Sequence, residues 1–485
     1  MIDIENCEAC LCKQPDPIAK FREDTKRPEV VGNIPGTQTI FVKSMGCSHN
    51  MSDGEAMMGQ LKEYGYKLTD SEEADLWLIN SCTVKNPSQD TVMTYVKKAQ
   101  SRGIPIVVSG CVPQADRDLN WLDGISVLGV TQIDRIVEVV EQTLAGGSVR
   151  LLGKKELPSL SLPKIRRNPL VEIIPISTGC LGSCTYCKTK HARGHLGSYP
   201  PEVILNRVKE ALSEGVKDIW LTSEDSGAYG KDIGADFPGL LESIANILPD
   251  DCMLRVGMTN PPFILEKLEA IGQVLKHPRV YSFLHIPVQA GNNDVLHHMN
   301  REYTVEEFSK VVDTIRSIVP DTYLATDIIC GFPTETSEQF EDTLKLVEKY
   351  RFPSVYISQF YPRPGTAAAS MKLVPTKEVK RRSTEMTKLF HSYKCFDHLL
   401  GKVVRVYLRD FKEGKDRNEM VGHTKEYVKV ILPREESLIG KSLMAKITET
   451  DKWHVRGVKY TPKNSWIWPL AVLFLAVIIV YLNFK

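Results

Sequence analysis

Cysteine is scarce in this chain, net charge is nearly absent, and repeats are missing, and each shortage removes a class of protein. Twelve cysteines in 485 residues are far too few for a disulfide scaffold. Against 61 Lys and Arg stand 60 Asp and Glu, a formal charge of +1, so no chain-wide field selects nucleic acid or an anionic membrane and any polyanion site has to be local. No long internal repeat or low-complexity tract argues for a solenoid or a disordered array. A signal peptide is missing too: Met1 to Lys20 holds Asp3, Glu5, Glu8 and Asp16 and no apolar run of seven residues, which predicts a chain that meets the cytosol. What is present, 42% hydrophobic and 25% charged residues, is globular composition, and the length predicts about three domains at roughly 150 residues each.

Long hydrophobic runs are also absent until the end of the chain. Asn464 to Phe484 carries no charge, and its apolar centre, Trp466 to Leu482, spans roughly 26 Å as a helix, enough for a thin bilayer. Trp466, Trp468 and Tyr481 stand at its two ends, where interfacial aromatics belong. A buried core helix would have to be hydrophobic all round and end in Lys485. The expectation is a transmembrane tail anchor over 465–483, inserted after synthesis by tail-anchor insertion machinery. Its shortness suits the endoplasmic reticulum membrane, with the remaining domains facing the cytosol.

Residues 1–36 hold Pro15, Pro17, Pro28 and Pro35 with little apolar periodicity, a loosely ordered extension whose Cys7, Cys10 and Cys12 could bind a metal but have no core to fix them. Over 37–150, three apolar β-branched runs each lead to a cysteine: Thr39 to Val42 to Cys47, Leu76 to Ile79 to Cys82, and Ile104 to Val108 to Cys111. The intervals of 35 and 29 residues are each about one strand–helix unit, so parallel strands should bring the three cysteines to one sheet edge. The alternative is three unrelated buried cysteines. A Pro- and Lys/Arg-containing linker, 151–169, separates this open α/β domain from a second strand series over 170–375. There, runs at Val171 to Ile176, Asp218 to Thr222, Met253 to Met258, Val280 to Ile286, Tyr323 to Ile329 and Ser354 to Phe360 alternate with helical stretches, six units that predict a partial (β/α)6 barrel. A basic linker helix, 376–400, then leads to short β-rich runs over 401–461, a small C-terminal β-barrel. The fold class is α/β.

Thr178 to Cys187 carries the sharpest chemical signal. Cys180, Cys184 and Cys187 form a C-x3-C-x2-C loop just past the first barrel strand, with glycines that let it wrap a bulky group. Three thiolates are one short of a closed site, so a 4Fe-4S cluster here would keep one iron open for a substrate or cofactor. Zinc is the competing reading, since His191 would complete a Cys3His set.

These motifs, with Met45 to Asn50, Asn80 to Val84, Ser109 to Pro113, Cys187 to Gly194 and Phe360 to Thr366, resemble the radical S-adenosylmethionine methylthiotransferases over about Ile40 to Lys459. The resemblance is closest to the eukaryotic subgroup acting on threonylcarbamoyladenosine in tRNA, in which a C-terminal membrane anchor is usual. It implies that Cys180, Cys184 and Cys187 hold a radical-generating 4Fe-4S cluster that binds S-adenosyl-L-methionine. Cys47, Cys82 and Cys111 would hold a second, auxiliary 4Fe-4S cluster that carries the sulfur to be inserted at carbon 2 of the adenine. It also implies an electron donor, a reductase or flavoprotein, and a tRNA anticodon stem-loop as partner. Ser223 and Glu224, ending the second barrel strand, would contact the methionyl end of the cofactor; a helix N-cap cluster is the plainer reading. The terminal barrel resembles a TRAM domain, with Lys402, Arg405, Arg409 and Lys412 as candidate RNA contacts against the alternative of a solvated charged face. Thr259 to Pro261, His285 to Gln289 and Gly331 to Pro333 also follow strands on the active face, and His285 reads equally as a structural histidine. Within the family, N6-isopentenyladenosine is the alternative nucleoside and an aspartate of a ribosomal protein a third substrate. Outside it, a non-catalytic, membrane-tethered Fe–S RNA-binding protein remains.

Overall fold

The structure, a computed structural model, describes residues 37–83, 86–153, 156–411 and 418–462. Cys7, Cys10, Cys12, Lys412 and the apolar segment 465–483 lie outside the described residues. Among the described residues, no helix is long and apolar enough to cross a membrane.

The three cysteine-tipped runs are strands Thr39–Ser44, Leu76–Ser81 and Ile106–Gly110, parallel neighbours in one six-stranded sheet. The sheet runs Lys67–Thr69, Thr39–Ser44, Leu76–Ser81, Ile106–Gly110, Ser126–Leu128, Arg150–Leu151. Strand order therefore reverses between Thr39–Ser44 and Leu76–Ser81, and such a switch point opens a crevice beyond the carboxyl ends of the strands. Register pairs Ser44 with Asn80 and Ser81 with Gly110, so the strand ends are level and Cys47, Cys82 and Cys111 follow them directly. Helices Ser48–Tyr64 and Ile136–Leu144 bury Met57, Leu61, Ile136 and Val140 on one face of the sheet. The helix Asn86–Ser101 buries Val92 and Val96 on the other.

Six further parallel strands follow in chain order: Val171–Pro175, Asp218–Thr222, Met253–Arg255, then Phe283–His285, Tyr323–Cys330, Ser354–Gln359. They form two three-stranded sheets joined by a bridge between Leu254 and Val280, an open barrel. Ile219, Leu221, Leu254, Leu284, Ile328 and Val355 point outward into the core shared with the surrounding helices, so the residues between them face the bore. Capping boxes start two of those helices, Thr304 with Glu307 and Thr336 with Gln339. The strand expected to reach Met258 stops at Arg255, because the next backbone groups bond elsewhere: Met258 O accepts from Ser226 N–H at 2.8 Å, and Thr259 N–H donates to His285 O at 2.9 Å.

The last five strands, Val403–Phe411, Glu419–His423, Lys429–Pro433, Ser442–Thr450 and Val455–Lys459, close into a barrel. It seats Tyr407 and Tyr427 against Tyr281, Phe283 and Tyr323 at the amino end of the open barrel, filling that end with buried aromatic rings. One expected RNA contact is corrected here. Arg409 is buried: its Nε donates to Asp218 Oδ1 at 2.6 Å and its Nη2 to Asp251 O at 2.7 Å, because the buried Asp218 carboxylate requires a cation. Lys402 and Arg405 are exposed. Arg382 of the basic helix Thr376–Ser392 is likewise turned inward, onto Glu335 at 2.7 Å.

The amino-terminal sheet and the open barrel share an interface along helix Ser48–Tyr64 and strand Val171–Pro175. Ser52 Oγ donates to Ile173 O at 3.0 Å, and Lys164 Nζ donates to both Ser52 Oγ, 2.9 Å, and Glu172 Oε1, 2.8 Å. Arg207 Nε reaches the same carboxylate at 3.1 Å. Burial pushes the Glu172 pKa up, but Lys164 and Arg207 outweigh it and hold the carboxyl at about 2, below its ordinary 4.5. A depressed carboxylate stabilises the fold above the unfolded pKa and loses that contribution as pH falls through the folded one. Stability should therefore drop by about 3 kcal/mol between about pH 4.5 and pH 2 from this group. Glu172→Gln should flatten that segment of a urea-midpoint against pH curve.

Candidate functional site

The loop from Thr178 to Cys187 is anchored at both ends. Gly179 has φ +78°, and a Cβ there would stand 2.0 Å from His195 O, so glycine is required for the chain to enter the loop. Cys180 N–H donates to Gly194 O at 3.2 Å, Thr185 N–H to Met299 O at 3.0 Å, and Asn300 Nδ2 to Ser183 O at 2.8 Å. Cys180 Sγ and Cys184 Sγ lie 3.6 and 3.9 Å from the point a Gly182 Cβ would occupy, which puts both thiols on one side of the loop. Arg301 Nη1 donates to Cys184 Sγ at 3.0 Å and Thr189 N–H to Cys187 Sγ at 3.4 Å. Burial, with Asp225 and the two neighbouring thiols, pushes the Cys180 thiol up to about 12. His191, the candidate zinc ligand, is exposed. Among the described residues, no three His, Cys, Asp or Glu side chains are arranged around a single ion.

Arg301 connects this loop to the barrel. Its Nη2 donates to Asn260 Oδ1, and Asn260 Nδ2 donates to Asp225 Oδ2 at 2.7 Å. Asp225 Oδ1 also accepts from Gly227 N–H at 3.0 Å and Asn260 N–H at 3.2 Å. Burial raises the Asp225 carboxyl to about 6 despite these donors.

Cys47, Cys82 and Cys111 meet at the edge of the amino-terminal sheet. Gly46 has φ +103°, and its Cβ would come within 2.3 Å of Cys82 Cβ, so only glycine allows the Cys47 turn to lie over Cys82. A hydrogen bond with Cys82, helped by the charges of Arg193 and His49, holds the Cys47 thiol at about 6, whereas burial pushes Cys111 up to about 11.

The elements that carry the two triplets pack on one another. The short helix Cys111–Ala115 packs on Thr189–Arg193, the helix that follows Cys187, with Cys111 against Ala192. Arg193 is buried there. Its Nη2 donates to Asp53 Oδ2 at 2.6 Å, its Nε lies 3.6 Å from Glu224 Oε1, and its charge acts on Cys111. His49 Nδ1 stands 3.0 Å from the same Glu224 oxygen. Lys188 Nζ pairs with Asp116 and donates to Pro364 O at 2.6 Å, adding a second tie between the domains.

Two expectations change at this interface. Glu224, expected on the methionyl end of a cofactor, is committed across the interface to His49 and Arg193, and Ser223 Oγ bonds Ser177 Oγ at 2.7 Å. The side chains beside the cysteine loop are instead Asp225, Asn260 and Arg301. The first two sit in runs legible as strand ends, but Arg301 follows a six-residue helix, Asn293–His298, and had no local signal. His285, half-buried, bonds Asp327 Oδ2 at 2.6 Å inside the bore.

Residues 174–347 match the family described as the Radical SAM superfamily, and residues 39–122 the one described as Uncharacterized protein family UPF0004. A threonylcarbamoyladenosine tRNA methylthiotransferase of Drosophila pseudoobscura pseudoobscura is 53% identical over 450 residues, 91% of this chain and 81% of that protein. The Homo sapiens protein of that name is 51% identical over 459 residues, covering 92% and 79%. A probable threonylcarbamoyladenosine tRNA methylthiotransferase of Pyrococcus abyssi is 38% identical over 424 residues, 86% of this chain and 98% of the archaeal one. Among solved structures, the radical S-adenosylmethionine methyltransferase TsrM from Kitasatospora setae shares the fold, with TM-score 0.51 at 14% identity over 69% of this chain and 75% of that one.

Arg193→Met would leave Asp53 and Glu224 buried with their shared cation gone, and the expected cost is about 3–5 kcal/mol. It should be read as a lower urea midpoint, with Asp53→Asn in the same chain recovering part of the loss. Open parallel barrel, cysteine loop and half-identical relatives agree: the chain belongs to the threonylcarbamoyladenosine tRNA methylthiotransferase family, and its central domain is a radical S-adenosylmethionine domain.

Proposed function

We propose that this chain converts N6-threonylcarbamoyladenosine at tRNA position 37, beside the anticodon, to its 2-methylthio derivative. The observation that carries the reading is the pairing of two separate cysteine triplets across one charged interface, each at the carboxyl edge of its own parallel sheet. Binding RNA alone would need neither. The family implies S-adenosylmethionine and a 4Fe-4S cluster. Cys180, Cys184 and Cys187 fit that cluster by their chemistry: three thiols on one anchored loop, with N–H donors from Arg301 and Thr189 aimed at sulfur. When bound, the cluster and cofactor supply one-electron cleavage of a carbon–sulfur bond and abstraction of a substrate hydrogen.

The residues of the chain orient and enclose. Arg301 links the Cys184 sulfur to Asn260, so the loop and the barrel edge are held in one position. Asn260 in turn fixes Asp225, a buried carboxyl whose pKa of about 6 leaves it able to accept from, or donate to, a polar cofactor group near neutral pH. Cys47, Cys82 and Cys111 would hold the auxiliary 4Fe-4S cluster and keep the sulfur to be transferred next to the radical-generating site. Lys402 and Arg405, with Lys377, Lys380 and Lys388 of the neighbouring helix, are exposed cations suited to a tRNA phosphate backbone. The reading includes an external electron donor. It also includes an endoplasmic reticulum tail anchor over 465–483, supported by the uncharged run of the sequence and tested by carbonate extraction of membranes from cells expressing the full chain.

The central test separates the two triplets. With reconstituted protein, dithionite and S-adenosylmethionine, Cys184→Ala should abolish 5′-deoxyadenosine formation. Cys82→Ala should keep it measurable while losing the 2-methylthio product in tRNA nucleoside mass spectrometry. Equal loss of cleavage in both variants would contradict separate roles, and no cleavage by the unaltered protein would remove the enzymatic reading.

A further inference from the structure

Below the cysteine loop the bore of the open barrel holds polar groups that the reaction as described does not use. Trp220 and Arg255 are register partners on adjacent strands, as are Asp327 and Tyr356. Arg255 is enclosed by aromatic rings: its guanidinium carbon lies 4.4 Å from the centre of Phe283, 5.1 Å from Trp220 and 5.2 Å from Tyr427. Its neighbouring polar group is the Tyr427 hydroxyl. The Nε of Arg255 is buried with no acceptor, and among the described residues no carboxylate pairs with the guanidinium. Arg193, Arg207, Arg382 and Arg409 each have one, whereas Arg301 ends on Cys184 Sγ and Asn260 Oδ1.

A half-buried cation set among aromatic rings without a counter-ion is costly, and the planar donor fork of a guanidinium is shaped for a carboxylate. Beside it, His285 Nε2 holds Asp327 Oδ2 at 2.6 Å, and the His285 ring lies 5.2 Å from that of Tyr356. Tyr356 and the Asp327 side chain are 45% and 30% exposed, so the bore is open to solvent at this level. Asp327 can accept from a hydroxyl or an N–H. The pocket also connects to the cysteine loop, since Thr259 N–H donates to His285 O and the next residue, Asn260, bonds Arg301. Gln289, whose backbone N–H donates to Asp327 O at 2.8 Å, is held at φ +70°, a left-handed conformation that costs a non-glycine residue and is characteristic of functional sites.

We infer that this bore pocket reads the amino-acid side chain of the modified base: Arg255 takes the substrate carboxylate, and Asp327, positioned by His285, takes a hydroxyl or N–H of the same group. The inference rests on the reaction proposed above and deepens it. Carbon 2 and the N6 substituent lie on one edge of adenine, so a base presenting carbon 2 to the cysteine loop places its N6 side chain along the bore wall. An N6-isopentenyl group has no charge and no donor, and would leave the guanidinium among the rings without a counter-ion. The pocket therefore favours a threonylcarbamoyl base over an isopentenyl one.

The test uses the full-length protein and two anticodon stem-loop RNAs, one carrying threonylcarbamoyladenosine and one its carboxylate methyl ester. Binding is measured by fluorescence anisotropy and product by mass spectrometry. The unaltered protein should bind the acid at least about 30-fold more tightly than the ester, the scale of an enclosed charge pair. Arg255→Met should bring the two affinities together, and Arg255→Lys should keep a preference for the acid. Because each ratio is internal to one protein, a general loss of stability moves both arms and leaves it unchanged. Equal affinities in the unaltered protein, or an undiminished ratio in Arg255→Met, would overturn the pocket. A normal ratio without methylthio product would overturn the reaction and leave the pocket standing.

Discussion

One buried guanidinium, that of Arg193, holds the two halves of the candidate site in register. It contributes to the barrel side as the last residue of the helix after Cys187, and to the sheet side by its bond to Asp53 and its contact with Cys111. The Asp53 and Glu224 carboxylates converge on it, and for Asp53 it is the cation that compensates burial. The strength of such a cluster lies in its asymmetry: intact, it contributes modestly, while loss of the central cation exposes every partner's desolvation cost at once. Sulfur chemistry and radical chemistry on separate domains demand a fixed distance between them, and a charge-locked contact at the interface is a physical means of fixing it.

Much of the architecture was legible in residue patterns. Alternating β-branched runs and amphipathic helices identified the strands of both sheets, because those preferences are local. The meeting of Cys47, Cys82 and Cys111 was legible for a related reason: the same place after each of three successive parallel strands predicts a shared edge without knowledge of any side-chain contact. The pairing of charges was not legible. Arg409 stands in a run of exposed cations and has the composition of an RNA contact, yet it answers a carboxylate 191 residues earlier in the chain. Glu224 sits where a barrel ligand belongs but is claimed by His49 from the other domain. Arg301 reaches Cys184 from 117 residues away. Each of these depends on which groups burial leaves in need of a counter-charge, and that is a property of the assembled interior.

The same logic separates arginines with a structural partner from one without. Arg207, Arg382 and Arg409 each end on a carboxylate of the chain and act as struts between elements. Arg255 ends among rings, which stabilise a cation without neutralising it. A site that keeps a half-buried charge among rings and unmatched is prepared for a partner that arrives from outside.

The aromatic rings that the terminal barrel packs with Tyr407 and Tyr427 close the amino end of the bore. A base still stacked in a helix cannot reach side chains inside the bore. For the reaction proposed here, the target nucleotide must swing out of its strand and enter alone. The energy of unstacking, a few kcal/mol and least in a single-stranded loop, then becomes part of substrate choice. A single-stranded loop meets that demand at lower energetic cost than a duplex.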